Sequence, residues 1–249
     1  MTVEYLNNLW DWYRRADADD IAEGMLAYER YNQVMSDLAQ HYGFTIGQTV
    51  ATFSALSPNS DYLGNLRSAA SVLRGIQLGA SCDEIRTSGY NHCRDRAYAY
   101  ATGDKDFLTE TKGPKTRAFY QNLVDPFDRV PVCVDGHIAF AWLDERHKPI
   151  KQAVVSKRMY NEIAEGVRFI ARLEGLIPNQ VQAIIWFCRK RELGVIYDPQ
   201  LDIFADNTDK WKTVLTVDQI RPFPLYTEVP RYTEPEDEKI KSRQLAFSI

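Results

Sequence analysis

Apolar side chains recur at spacings of three and four along most of the chain, the period of an α-helix with one buried face. Leu6, Leu9, Trp10 and Tyr13 share such a face over residues 5–15. The acidic run Asp17-Ala18-Asp19-Asp20 suits the N-terminus of a second helix, which passes through Met25, Tyr28, Tyr31 and Met35 to a stop at Tyr42-Gly43. Thr45 caps a third helix over 46–56, ended by Ser57-Pro58. Ser60 or Asp61 caps a fourth, with Leu63, Leu66, Ala70 and Leu73 on its apolar side. Shorter helical pieces follow over 92–101, 104–108 and 115–123. Val130-Pro131-Val132-Cys133-Val134 reads as an extended connector, because proline and β-branched residues disfavour helix. Helix resumes over 135–143, then over 156–173 and 178–191, the last with Pro178 in its first turn. Strand signals are few, so the expected fold class is all-α. A helical domain over 1–197 is expected to carry an irregular arm, 198–249, rich in proline and charge and packed on it.

Composition narrows the picture. A chain of 249 residues with 45% hydrophobic content can bury a sizeable core, as one large domain or as two lobes around a cleft. No apolar run approaches the roughly 20 residues needed to span a bilayer. The start, Met1-Thr2-Val3-Glu4, lacks the basic and apolar regions of a signal peptide, so a cytoplasmic location without a membrane partner is expected. Cys82, Cys93, Cys133 and Cys188 form no C-x-x-C pair and no Cys/His cluster; they read as free, mostly buried thiols, with no metal and no cofactor implied. His41, His92 and His147 have no neighbours at metal-ligand spacing. A net charge of −4 and a pI near 5.7 argue against a protein that coats nucleic acid. Residues 151–191 nevertheless hold eight Lys/Arg against three acids, a local balance of +5 that suits either a phosphate backbone or a solvated helix face. Trp10, Trp12 and Tyr13, and Trp186 with Phe187, have the chemistry to stack on bases, yet aromatics at helical spacing are first of all core. Arg189-Lys190-Arg191 suits the C-terminal end of a helix dipole.

Two short segments carry the chemistry. In Gly113-Pro114-Lys115-Thr116, a glycine permits close backbone approach, and the helix start that follows offers N–H groups and the positive end of its dipole. A lysine desolvated there becomes a usable nucleophile. Some twenty residues on, the extended connector delivers Asp135 to the start of another helix, where a carboxylate can stabilise an oxocarbenium-like sugar or orient a nucleophile. Lys plus Asp is a pair able to cut an N-glycosidic bond through a Schiff base. The bland alternative is a surface lysine and a helix cap, and spacing alone leaves both open.

The block Gly113-Pro114-Lys115-Thr116-Arg117-Ala118, followed by Val132-Cys133-Val134-Asp135-Gly136-His137-Ile138, resembles the signature of the helix-hairpin-helix DNA glycosylase superfamily. There a hairpin ending G-x-K-T precedes V-D-T-H on the next helix. Upstream, Phe53-Ser54-Ala55-Leu56-Ser57-Pro58-Asn59-Ser60-Asp61 with Asn65 is similar to the L-S-A-Q-x-T-D…N segment of that superfamily. The resemblance covers roughly residues 45–145. It implies a two-lobed helical glycosylase-like fold, Lys115 as the Schiff-base lysine and Asp135 as the catalytic aspartate. It implies DNA as partner, with Asn59, Gly113, Thr116, Arg117 and His137 near it and Asn59 filling the gap left by a flipped base. The usual hairpin reads L-P-G-x-G. Here Glu110-Thr111-Lys112-Gly113-Pro114 lacks one glycine, and Pro114 removes an N–H that would hold a phosphate. The hairpin is therefore degenerate. In this, and in Ala55–Asn59, Gly113–Asn122 and Gln180–Trp186, the chain is similar to a divergent bacteriophage branch that hypermodifies thymine by attaching an amine or amino acid to pyrophosphorylated 5-hydroxymethyluracil. The resemblance thus implies base excision first, base hypermodification as the alternative, and a DNA-binding module without chemistry as a third possibility, in a bacterial or phage-infected cell.

Overall fold

The computed structural model describes residues 3–58, 60–145, 153–194 and 215–228. Asn59, His147, Lys151 and most of the expected arm over 198–249 lie outside the described residues. Ten α-helices run through this region, α1 (Val3–Arg14), α2 (Ala18–Tyr42), α3 (Ile46–Leu56), α4 (Tyr62–Gln77), α5 (Asn91–Thr102), α6 (Phe107–Glu110), α7 (Pro114–Val124), α8 (Gly136–Leu143), α9 (Lys157–Glu174) and α10 (Pro178–Glu192). Among the described residues there is no strand, and the fold is all-α.

The helix starts are where side-chain chemistry places them. Asp17 caps α2 in a reciprocal box with Asp20, Thr45 does the same for α3 with Gln48, and Ser156 caps α9. At α4 the choice left open by sequence is resolved: Asp61 takes the cap, its Oδ1 accepting from the Gly64 N–H at 2.7 Å. Residues 130–134 are non-helical, as the Pro and β-branched content requires.

Apolar side chains collect in two clusters. The first gathers α2, α3, α4 and α5, with Leu123 of α7 and Ala183 of α10. The second gathers α1, the connector residues Val132 and Val134, and the inner faces of α8, α9 and α10. Trp12 belongs to the second, and Trp10 and Tyr13 pack against it, so the N-terminal aromatic stripe is core. All four cysteines are free, and three are buried. Part of the C-terminal stretch packs on α4: Ile220 and Leu225 join the first cluster, the Phe223 N–H donates to Ser71 Oγ at 2.7 Å, and Arg74 pairs with Glu228 at 2.6 Å.

The basic balance of 151–191 is mostly absorbed by structure. Arg168 donates to the Val130 carbonyl through two nitrogens, at 2.9 and 2.7 Å, and Arg172 pairs with Glu165. Arg191 meets Asp17 and Asp20, and Arg189 is fully buried with Trp12 and Phe140 against its guanidinium. No helix among the described residues is long and apolar enough to cross a membrane.

Helix α2 crosses α10 in close contact at Gly24. A Cβ built on Gly24 would stand 2.5 Å from the Ile184 backbone nitrogen and 2.7 Å from its Cα, where a rotamer change gives no relief. Gly24→Ala is therefore expected to cost about 1–3 kcal/mol through overpacking. Chemical denaturation of the two proteins checks this, and unchanged stability would show that the helices separate freely.

Candidate functional site

The connector that precedes α8 is held by its carbonyls. Arg168 grips Val130 as above, the Tyr160 hydroxyl donates to the Val132 carbonyl at 2.6 Å, and Asn179 Nδ2 donates to the Pro126 carbonyl at 2.7 Å. An extended strand of chain has no internal hydrogen bonds, so these side-chain donors stand in for a ladder. Cys133, Val134 and Asp135 are thereby fixed against α9 and α10. Asp135 caps α8, its Oδ1 accepting from the Ile138 N–H at 3.0 Å.

On the facing side, α7 starts at Pro114, with Gly113 as its N-cap. Gly113 has φ −71°, so no left-handed turn requires glycine there, and a Cβ would meet only Thr116 Oγ1 at 3.8 Å. The glycine is not demanded by backbone geometry; its effect is to leave the rim beside it bare. Lys115 and Thr116 follow in the first turn. Arg117 turns inward, donating to the carbonyls of Leu108 and Thr111, and so braces the α6–α7 turn. The far end of α7 is tied to α2 by Asn32, which donates to the Leu123 and Val124 carbonyls at 2.8 and 3.1 Å.

Between these frames lies a cavity of about 750 Å³ at the seam of the two apolar clusters. Lys115 and Asp135 both line it, with Gly113 and Thr116. No ion pair joins Lys115 to Asp135, yet both act on the same neighbours. The Cys133 thiol is pushed up to about 12 by burial and then by the Asp135 carboxylate, against the opposing pull of Lys115. His137 is buried, its Nδ1 has no partner and its ring stands edge-on to Trp186 at 5.8 Å. Burial lowers its pKa to about 4, with Asp135 opposing and Lys190, Arg189 and Lys115 assisting. His137 is therefore neutral near pH 7, under Trp186 and off the cavity lining. Lys115 is exposed rather than desolvated, Asp135 is a helix cap, and both line one cavity.

Several lining residues are aromatics that the sequence does not separate from core. Tyr28 and Tyr31 of α2, Phe119 of α7, and Trp186 and Phe187 of α10 form aromatic walls. The last two are not core alone, since their faces also line the cavity. Deep in it, the Tyr28 hydroxyl donates to Gln182 Oε1 at 2.8 Å, and burial raises the Tyr28 pKa well above the usual tyrosine value. Arg96, Lys112 and Lys115 are exposed on the lining, with Glu110 beside them. Among the described residues no group of three or more His, Cys, Asp or Glu side chains is placed to hold a metal ion.

Fold and cavity together define a protein that is all-helical among the described residues, with an aromatic-walled pocket carrying a lysine and an aspartate. The chain belongs to the family of unknown function DUF7178, whose family model matches residues 1–192, ending where α10 ends. No curated protein matches the chain, and no solved structure does.

Two measurements follow from this geometry. Asp135→Ala is expected to destabilise the fold by about 1 kcal/mol through loss of the α8 cap, while Asp135→Asn, which still caps, leaves stability nearly unchanged and removes only the charge. Denaturation curves separate the two. For His137, the unfolded chain takes up a proton as pH falls through about 6.5, whereas the folded protein resists until about 4. The stability held above pH 6.5 is thus lost on descending through that window, by about 2 kcal/mol between pH 7 and pH 5. His137→Gln should flatten this dependence in urea titrations.

Proposed function

We propose that this protein is a DNA-base enzyme with a helix-hairpin-helix glycosylase-like fold, excising a modified or damaged base from a nucleotide turned out of its strand. The observation that carries the proposal is the convergence of Lys115 and Asp135, from separate elements, on one cavity. The α6–α7 turn supplies the degenerate hairpin, and the bare rim at Gly113 allows a phosphodiester to approach the first turn of α7. Asp135 Oδ1 is engaged in capping, while its second oxygen has no protein partner and is available for chemistry.

In this reading Lys115 gives a proton to the departing base, and the resulting amine attacks C1′ of the deoxyribose. The C1′–N bond breaks and the base leaves with a proton. The new C–N bond then becomes a Schiff base on ring opening, and water later hydrolyses it. Asp135 lowers the barrier by facing the positive charge that develops on the sugar. Neutral His137 supports Trp186 from below, and Arg117 keeps the turn in place.

The size of the cavity favours a second reading. About 750 Å³ lies well within the roughly 300–1,000 Å³ of small-molecule sites and leaves room for a base with a large substituent. In the hypermodification chemistry, an amine attacks the 5-methylene carbon of a pyrophosphorylated 5-hydroxymethyluracil. A C–N bond forms, the C–O bond breaks and pyrophosphate departs. Arg96, Lys112 and Lys115 are the cations that would hold the leaving group, and the glycosidic bond stays intact.

Incubation with duplexes containing uracil, oxidised or hydroxymethylated pyrimidines, followed by borohydride, is expected to trap a covalent adduct. The adduct disappears in Lys115→Ala, and Asp135→Asn slows base release by at least about a hundredfold, the scale of losing one placed electrostatic group. Neither adduct nor abasic site on any substrate would sink excision. Pyrophosphate release from 5-pyrophosphomethyluracil DNA in the presence of an amine would establish the second reading instead. Binding without turnover in both assays, unchanged by Asp135→Asn, would leave a DNA-binding module.

A further inference from the structure

The interior of the cavity differs in chemistry from its rim, and the difference specifies a ligand. The buried lining residues, Tyr28, Ser54, Phe107, Thr111, Cys133 and Gln182 among them, are all uncharged. Three of them leave hydrogen-bonding capacity unused. Ser54, 2% exposed, and Thr111, 5% exposed, have hydroxyls with no partner. Gln182, 5% exposed, accepts from the Tyr28 hydroxyl through Oε1, which fixes the amide so that Nε2, with its two N–H donors, is left without a protein partner. The Ser54 and Thr111 hydroxyls are closed off inside the lining, whereas the Gln182 amide lines the cavity with N–H donors that no protein group accepts, which points to a ligand that does. Tyr31, Phe119 and Trp186 give that ligand aromatic surfaces suited to a flat ring. The exposed cations Arg96, Lys112 and Lys115 repel a positively charged ring and attract an anion tethered outside it.

We infer that the cavity selects a nucleotide whose neutral ring presents a carbonyl, with Gln182 as the residue that reads this carbonyl and Tyr28 as the residue that orients Gln182. The inference rests on the nucleotide-directed function above and adds the class of base. A ring carbonyl accepts from Gln182 Nε2, and the phosphate lies toward Lys112 and Lys115. A ring with an amino group at the same place brings donor against donor and leaves the Gln182 amide unsatisfied, which is the arrangement that discriminates most strongly between otherwise similar ligands.

Deoxyinosine and deoxyadenosine 5′-monophosphates differ chiefly in that group, and thymidine 5′-monophosphate supplies a pyrimidine carbonyl. Titrations of the full chain followed by saturation-transfer NMR and tryptophan fluorescence are expected to show the two carbonyl nucleotides bound at least about tenfold more tightly than the adenine nucleotide. Gln182→Glu keeps an acceptor for the Tyr28 hydroxyl and nearly the same shape but has no N–H to give; its preference should collapse to about twofold or less. Tyr28→Phe frees the amide to turn and should reduce the preference by a smaller factor. Melting curves close to that of the unmodified protein establish that both variants fold. A preference untouched by Gln182→Glu, equal binding of the inosine and adenine nucleotides, or no binding of any of the three at millimolar concentration would overturn the inference. The two proposals fail separately. Turnover of a DNA base with no Gln182-dependent choice among bases removes this inference alone. A Gln182-dependent preference among monophosphates, with no action on DNA, removes the DNA reading and leaves this one standing.

Discussion

The crossing of α2 over α10 is the constraint on which the site depends. Gly24 lets the backbone of α10 come against α2 at Ile184, a distance that no side chain tolerates. One turn further along α2, Tyr28 is brought to Gln182, and the next turn of α2 presents Tyr31 to the cavity that Trp186 and Phe187 line from α10. A wider separation would not only cost packing. It would part the hydroxyl from the amide it orients and leave the inner wall of the cavity without a fixed polar group.

Around that crossing, long polar side chains do the work of positioning. Arg168, Tyr160 and Asn179 hold three carbonyls of the segment that delivers Asp135, and Arg117 and Asn32 hold the two ends of the helix that delivers Lys115. Most arginines of the basic late segment are thereby committed to the fold. The cations left at the cavity, Arg96, Lys112 and Lys115, come from α5 and the α6–α7 turn, a part of the chain that its overall composition does not single out.

Helices were readable because their ends are written locally. Asp17, Thr45, Asp61 and Ser156 cap the backbone of residues only three positions away, and the apolar period names the buried face. Lys115 and Asp135 were readable as a pair through the motifs around them, and both line the cavity. The rest was hidden by distance along the chain. Nothing near Tyr28 states that it will meet Gln182, and Trp186 and Phe187 follow the same period as core aromatics, so their second role appears only once α2 lies opposite. Charge left two readings open for a similar reason: a count of arginines over 151–191 does not reveal that Val130, Asp17 and Asp20 are partners of Arg168 and Arg191.

One helix joins everything. Ala183 of α10 belongs to the apolar cluster around α2 and α3, while Val181, Ile185 and Cys188 of the same helix belong to the cluster around α1, α8 and α9. Detaching either half would strip one face of α10 while the other face still holds it, so neither half has an inexpensive partial state of its own. Loss of one cluster therefore exposes apolar surface of the helix that the other still holds. The cavity at the seam thus has one of its walls on the helix that both clusters share, so a change in either cluster reaches Gln182 and Trp186.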